Sequence, residues 1–281
     1  MQQHSFHDGG LIEDLARMAL ARRRALGWLA GMALAGCGGG GSSSTTSSTS
    51  SSGSGTTPTT GGTTTTGSCS VVPNETEGPY PADGSNAANG SIANALALAG
   101  IVRSDIRSSV APGSATAAGV PLTLTLKLED ASNSCADLAG YAIYVWHCDA
   151  PGRYSLYSSG VTAENYLRGV QLTGADGTVT FTTIFPGCYA GRVPHIHFEV
   201  YRSTAQATSY ANKLRTSQIA FPLDTCATIY AGASGYGSST SNLASISFSS
   251  DMVFSDGVSL ELATLTGSVA AGYAASLTVG I

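Results

Sequence analysis

The chain has 281 residues, with 13 Lys and Arg against 18 Asp and Glu, a formal net charge of −5, and only five histidines. Past Cys37 the balance is nine against fifteen, a net charge of −6, and the only lysines are Lys127 and Lys213. A body this acidic and this poor in lysine argues against a nucleic-acid partner, because phosphate binding needs clustered cations.

At the start of the chain the basic run Arg22, Arg23, Arg24 precedes the apolar stretch "ALGWLAGMALAG", which leads to Cys37. A basic segment, a short apolar segment and small residues before a cleavage point make an export signal. The apolar stretch is too short to span a bilayer. "RRRALGWL" resembles a twin-arginine signal, and "LAGC" resembles the lipobox of bacterial lipoproteins, in which Cys37 would be acylated. A plain secretory signal with an incidental cysteine is the other reading. Residues 1–37 are therefore expected to be an export signal, addressing the protein to the periplasm or cell surface, with a lipid anchor at Cys37 as its only membrane contact.

From residue 38 to 67 every position is Gly, Ser or Thr except Pro58. Such a segment has no apolar surface with which to offset its ordering entropy, and it reads as a flexible tether. Its root-mean-square span is about 30 Å by the flexible-chain relation. The folded body is then residues 68–281, one domain. It carries Cys69, Cys135, Cys148, Cys188 and Cys226. In an exported chain, cysteines this widely spaced favour disulfides over zinc, and an odd number leaves at least one thiol outside any internal pair. The connectivity stays open, including whether Cys148 and Cys188 bridge or remain buried thiols.

Within the body, "PLTLTLKLED" places Leu122, Leu124, Leu126 and Leu128 in strict alternation with Thr and Lys, a half-buried strand. "GYAIYVWHCD" reads as a strand covered on both faces. "GTVTFTTIFPG" and "HIHFEVY" follow, and "VSLELATLTG" and "YAASLTVGI" close the chain. Gly, Asn, Asp and Ser punctuate these runs, which predicts an all-β, antiparallel sandwich. Helical periodicity is weak throughout; "AQATSYANKLR" is the one candidate for a short helix.

On the "HIHFEVY" strand the side chains of His195, His197, Glu199 and Tyr201 share one face. Alone, the H-x-H pair is either half of a chelate or a solvated polar face. Two tyrosines change the balance. Tyr189 follows the tight turn "FPG", and Tyr154 follows the Pro-Gly turn of "DAPGRY". A strong Lewis acid can take the proton from a phenol that is neutral in water at pH 7. Two phenolates and two neutral imidazoles form a hard, anionic set that suits Fe(III) better than Fe(II), zinc or copper(I).

"NETEGPYP" (74–81), "VWHCDAPGRYS" (145–155), "YLRGVQLTGADGTVTFTTIFPGCY" (166–189), "GRVPHIHFEV" (191–200) and "TSQIAFPLD" (216–224) together resemble the intradiol ring-cleavage dioxygenases. The C-terminal "VFSDG", "TGSVAAGY" and "LTVG" resemble that family's exported, catechol-type branch. The resemblance runs over nearly all of residues 69–281. It implies one mononuclear non-haem Fe(III) per chain, held by Tyr154, Tyr189, His195 and His197. Arg192 matches the family's active-site arginine and Gln218 its glutamine near the cleavage site. Extra residues lie between the H-x-H strand and Gln218, and a tether stands where the larger catechol enzymes have a helical dimerisation segment. The implied reaction inserts both atoms of O2 between adjacent phenolic carbons of a catechol-type diol, giving a muconate-type diacid, with Tyr189 as the ligand that yields to the substrate.

His147 is expected to make structural hydrogen bonds, Asp149 to order the turn that presents Tyr154, and Tyr80 to line the pocket. Two rivals stand beside the enzyme: a lipid-tethered β-sandwich binding module with a vestigial metal site, and a metal-handling protein, which has no use for two turn-mounted tyrosines. The same sandwich serves many binding domains, and the fold alone does not choose.

Overall fold

The computed structural model describes residues 69–281; the export signal expected over 1–37 and the tether over 38–67 lie outside the described residues. The strands in chain order are β1 (Asp83–Ala88), β2 (Ser91–Asn94), β3 (Pro121–Asp130), β4 (Ala136–Asp137), β5 (Ala142–Trp146), β6 (Arg168–Leu172), β7 (Thr178–Ile184), β8 (His195–Tyr201) and β9 (Arg215–Ala220). Two helices follow, α1 (Leu223–Gly232) and α2 (Ser239–Ala244), and then β10 (Thr264–Ser268) and β11 (Gly272–Gly280).

β3 carries the alternation its sequence implies: Leu122, Leu124, Leu126 and Leu128 are buried while Pro121 and Thr123 are exposed. Burying each such leucine contributes about 1.5–3 kcal/mol. β3 is the centre of one sheet, pairing with β11, β7 and β4, with β10 beyond β11. The second sheet has the order β6-β5-β8-β9, antiparallel throughout. The leucines of β3, with Val179 and Phe181 of β7, pack against Ile143, Val145, Ile196, Phe198, Val200 and Ile219 of the second sheet. That is the all-β sandwich expected from the strand pattern.

Two expectations need correction. Strand pairing is not antiparallel everywhere, because β11 runs parallel to β3 from Tyr273↔Leu122 to Gly280↔Glu129. These strands are far apart in the chain, so no hairpin turn forces them antiparallel. The short helix expected in "AQATSYANKLR" shrinks to a single 3-10 turn, Tyr210–Asn212, and the true helices lie further on. In α1 the buried residues Cys226, Ile229 and Tyr230 do follow helical spacing. Ala, Thr and Gly dilute the contrast along the rest of that stretch.

A second, smaller apolar cluster covers the outer face of the four-stranded sheet. Tyr144, Trp146 and Tyr201 on the sheet meet Ala82, Ala93, Leu96 and Ile101 from the segment that includes the β1–β2 hairpin. Cys69 and Cys135 form a disulfide, and Cys148, Cys188 and Cys226 are buried free thiols, so no Cys148–Cys188 bridge braces the site. Among the described residues no helix is long and apolar enough to cross a membrane.

Candidate metal centre

The face of β8 that carries His195, His197, Glu199 and Tyr201 is the outer one, since Ile196, Phe198 and Val200 fill the core between the sheets. Register sets out a row across that face: Arg168 opposite Trp146, Trp146 opposite His197, and His197 opposite Gln218. The Trp146 indole stacks on the His197 imidazole with centroids 4.8 Å apart and an interplanar angle of 6°. β8 thus presents its two histidines at one end of a face that the second apolar cluster keeps dry.

The tyrosines arrive on two turns that press against each other. Asp149 orders the first, accepting from the Arg153 backbone N–H at 2.8 Å, from Arg153 Nε at 3.0 Å and from Tyr166 Oη at 3.0 Å. The second is anchored where Gly187 N–H donates to Asp149 O at 3.2 Å. At Gly187 a Cβ would fall on the carbonyl oxygens of Ala150 and Asp149, so only glycine permits this approach. Gly152, at φ +92°, packs against the Tyr189 Cβ from the other side. Ser239 Oγ accepts from Cys188 N–H at 2.9 Å and Asn242 Nδ2 donates to Cys188 O at 2.8 Å, so α2 fixes the residue before Tyr189.

Four polar atoms converge as a result. Tyr154 Oη lies 3.4 Å from His195 Nε2 and 3.3 Å from His197 Nε2, Tyr189 Oη lies 3.1 Å from His195 Nε2, and the two Nε2 atoms are 3.1 Å apart. His195, His197 and Tyr154 are buried, and Tyr189 is half-buried. Burial, reinforced by the Arg192 charge, pushes His195 down to about 3, and burial with the His195 charge holds His197 well below its ordinary value. Both imidazoles are therefore neutral. Burial, and then the neighbouring Tyr189, raises Tyr154 well above its ordinary value.

A cation suits this donor set. His195 Nδ1 donates to Val193 O at 2.6 Å, which leaves Nε2 a lone pair turned toward the other three atoms. Separations of 3.1–3.4 Å are those that neighbouring ligands keep around one small ion, whose bonds to imidazole nitrogen run to about 2.0–2.1 Å. Two phenols and two imidazoles fit a hard trivalent ion such as Fe(III). Elsewhere among the described residues, the one trio of Cys, His, Asp or Glu donors within metal-binding reach is Cys69, Glu129 and Cys135, and its two thiols are already joined in the disulfide.

Arg192 lies buried beside this cluster and pairs with Asp251, Nε to Oδ2, at 3.0 Å. Burial works against its charge, but Tyr189 and Asp251 outweigh it and raise the guanidinium pKa. Arg192 Nη2 donates to Gln218 Oε1 at 2.7 Å, and Gln218 Nε2 donates to Thr76 O at 3.0 Å. Gln218 thus links the arginine to the segment 74–81. The same segment brings the Tyr80 ring to 4.9 Å from the Tyr154 ring. Arg168 ties it down, donating to Pro81 O at 2.9 Å, Tyr80 O at 2.9 Å and Ser155 O at 3.0 Å. His147 has the structural bonds expected of it, to Thr183 Oγ1 at 2.7 Å and Cys148 O at 2.8 Å. Asp251 and the roles of Trp146 and Arg168 escape the sequence, although Trp146 and Arg168 stand inside quoted motifs.

The fold and the donor cluster define a β-sandwich with a Tyr2His2 centre. The family model described as "Dioxygenase" (Dioxygenase_C) matches residues 105–230, a span that contains both turns and the H-x-H strand. Among solved structures, the intradiol ring-cleavage dioxygenase from Tetranychus urticae is 27% identical, with a TM-score of 0.56, covering 76% of this chain and 95% of that one. Weaker likenesses include a dioxygenase domain from Streptomyces sp. SirexAA-E, 23% identical with a TM-score of 0.45 over 75% of this chain and 98% of that one. Catechol 1,2-dioxygenase from Pseudomonas arvilla C-1 is 19% identical, with a TM-score of 0.43 over 74% of this chain and 60% of that one. No curated protein sequence matches. The family-model match and the likeness to the Tetranychus urticae enzyme both support the intradiol ring-cleavage dioxygenase family for this chain.

Proposed function

We propose that this chain is an Fe(III)-dependent intradiol dioxygenase that cleaves a catechol-type diol with O2 to a muconate-type diacid. The convergence of Tyr154, Tyr189, His195 and His197 on one buried point carries this reading. Those four residues would hold the ion. Bound there, Fe(III) supplies Lewis acidity, which lowers the pKa of the diol and makes its ring electron-rich toward O2.

The protein's own groups do the rest. Tyr154 and the two histidines are buried and fixed by their turn and strand, so they keep the geometry. Tyr189 is the half-buried member of the set, which makes its phenol oxygen the one placed to exchange a proton with an incoming diol. Arg192 stays charged and stabilises negative charge as it spreads over the ring, and Gln218 holds it through Nη2. The apolar cluster above the sheet excludes bulk water from the reacting centre.

The export signal read over residues 1–37 extends the proposal: the enzyme meets its diol outside the cytoplasm, tethered through Cys37. The binding-module alternative draws no support from the matched proteins. The decisive assay follows O2 uptake and product together with catechol as substrate. The proposal expects one O2 consumed per diacid formed, with Arg192→Gln slower by about 100-fold, the cost of losing one charge-stabilising donor. An iron-loaded protein that binds catechol and consumes no O2 would return the chain to the binding-module reading.

A further inference from the structure

Asp251 has no counterpart in the sequence motifs, yet it is the most heavily used carboxylate beside the metal centre. Fully buried, it accepts five hydrogen bonds. Oδ1 takes Arg192 Nε at 3.2 Å, Val253 N–H at 2.9 Å and Phe254 N–H at 3.3 Å. Oδ2 takes Arg192 Nε at 3.0 Å and Val193 N–H at 2.8 Å. The guanidinium is gripped at Nε by Asp251 and at Nη2 by Gln218, and its carbon stands 5.9 Å from the Phe254 ring. A planar fork held at two of its nitrogens has little rotational freedom left, which a lysine could not reproduce.

The pairing also settles net charge. A lone buried guanidinium would be a strong anchor for any anion entering the site, and the desolvation cost of burying it would be high. Paired with Asp251, the arginine offers directed hydrogen bonds and a local charge but no net charge.

We propose that Asp251 is the positioning residue of this site: acting through Arg192, it fixes the guanidinium beside the metal-binding cluster and cancels its net charge, so that the site selects diols without a ring carboxylate. This rests on the dioxygenase reading above and adds a substrate preference to it.

The test compares iron-loaded wild type, Asp251→Asn, Arg192→Gln and the double variant. Asp251→Asn lowers kcat on catechol by about 10- to 100-fold, the cost of a small misplacement of a catalytic group, while iron content and visible absorption stay as in the wild type. The double variant is no slower than Arg192→Gln alone, because both changes remove the same interaction. Anaerobic calorimetry shows the affinity for protocatechuate, relative to that for catechol, rising about 10-fold in Asp251→Asn, the equivalent of roughly 1.4 kcal/mol. Additive losses in the double variant, loss of iron, or an unchanged preference overturns the proposal. If Asp251→Asn does not fold, Arg192→Lys serves in its place: it keeps a charge beside Asp251 but lacks the fork, so its kcat falls as far as that of Arg192→Gln, and recovery of activity with lysine overturns the positioning role. A wild type that cleaves no diol fails the dioxygenase reading and this proposal together; a wild type that cleaves while Asp251→Asn behaves like it fails this proposal alone.

Discussion

His195 and His197 sit one residue apart on the same face, yet different forces orient them. A backbone carbonyl holds the His195 ring through Nδ1, while the His197 ring lies flat on Trp146 and its Nδ1 has no hydrogen-bond partner. The H-x-H spacing and the two turn tyrosines were legible because each lies within a short motif whose local geometry follows from strand alternation or a Pro-Gly turn. Asp251 was not legible: it lies 59 residues from the arginine it holds, and no local pattern links the two. Glu261 is a similar case. It is fully buried, with Oε1 accepting from Ser217 Oγ at 2.9 Å and Oε2 unpartnered, and burial raises its pKa from 4.5 to about 8. The folded chain therefore holds a proton that the unfolded chain has released between roughly pH 4.5 and 8, and stability falls as pH rises through that window. Glu261→Gln removes this contribution. Urea midpoints should show the variant gaining on the wild type from pH 5 to pH 8.5; a constant difference would mean that Glu261 is ionised in the fold.

At the scale of elements, the site depends on two turns meeting at Gly187. β5 and β8 were recognisable from composition, and β3 from its leucine alternation, because apolar patterning fixes which face is buried. The parallel β3–β11 pairing and helix α1 were not, since one depends on contacts remote in sequence and the other on a weak apolar stripe. Gly187→Ala should drive a methyl group into the Ala150 and Asp149 carbonyls and separate the turns that carry Tyr154 and Tyr189. The expected result is a folded protein, by circular dichroism, that retains much less iron after dialysis. Iron retention equal to the wild type would show that the turns relax without moving the tyrosines.

For the whole molecule, the sandwich core and the second cluster divide the work. The first holds the sheets together; the second, with Arg168 and segment 74–81, closes over the outer face where the polar groups converge. The all-β architecture was readable from the run of strands. That a segment N-terminal to the sandwich would roof the site was hinted at only by "NETEGPYP", because its hold comes from carbonyl groups that any residue possesses. The central claim is that Tyr154, Tyr189, His195 and His197 bind Fe(III). It is tested most directly by purifying residues 68–281 under air, measuring iron per chain and recording the visible spectrum of the wild type, Tyr154→Phe and Tyr189→Phe. The account predicts one iron per chain and a broad tyrosinate-to-iron band, shifted or lost in each variant. A wild type that remains colourless and iron-free after reconstitution would contradict it.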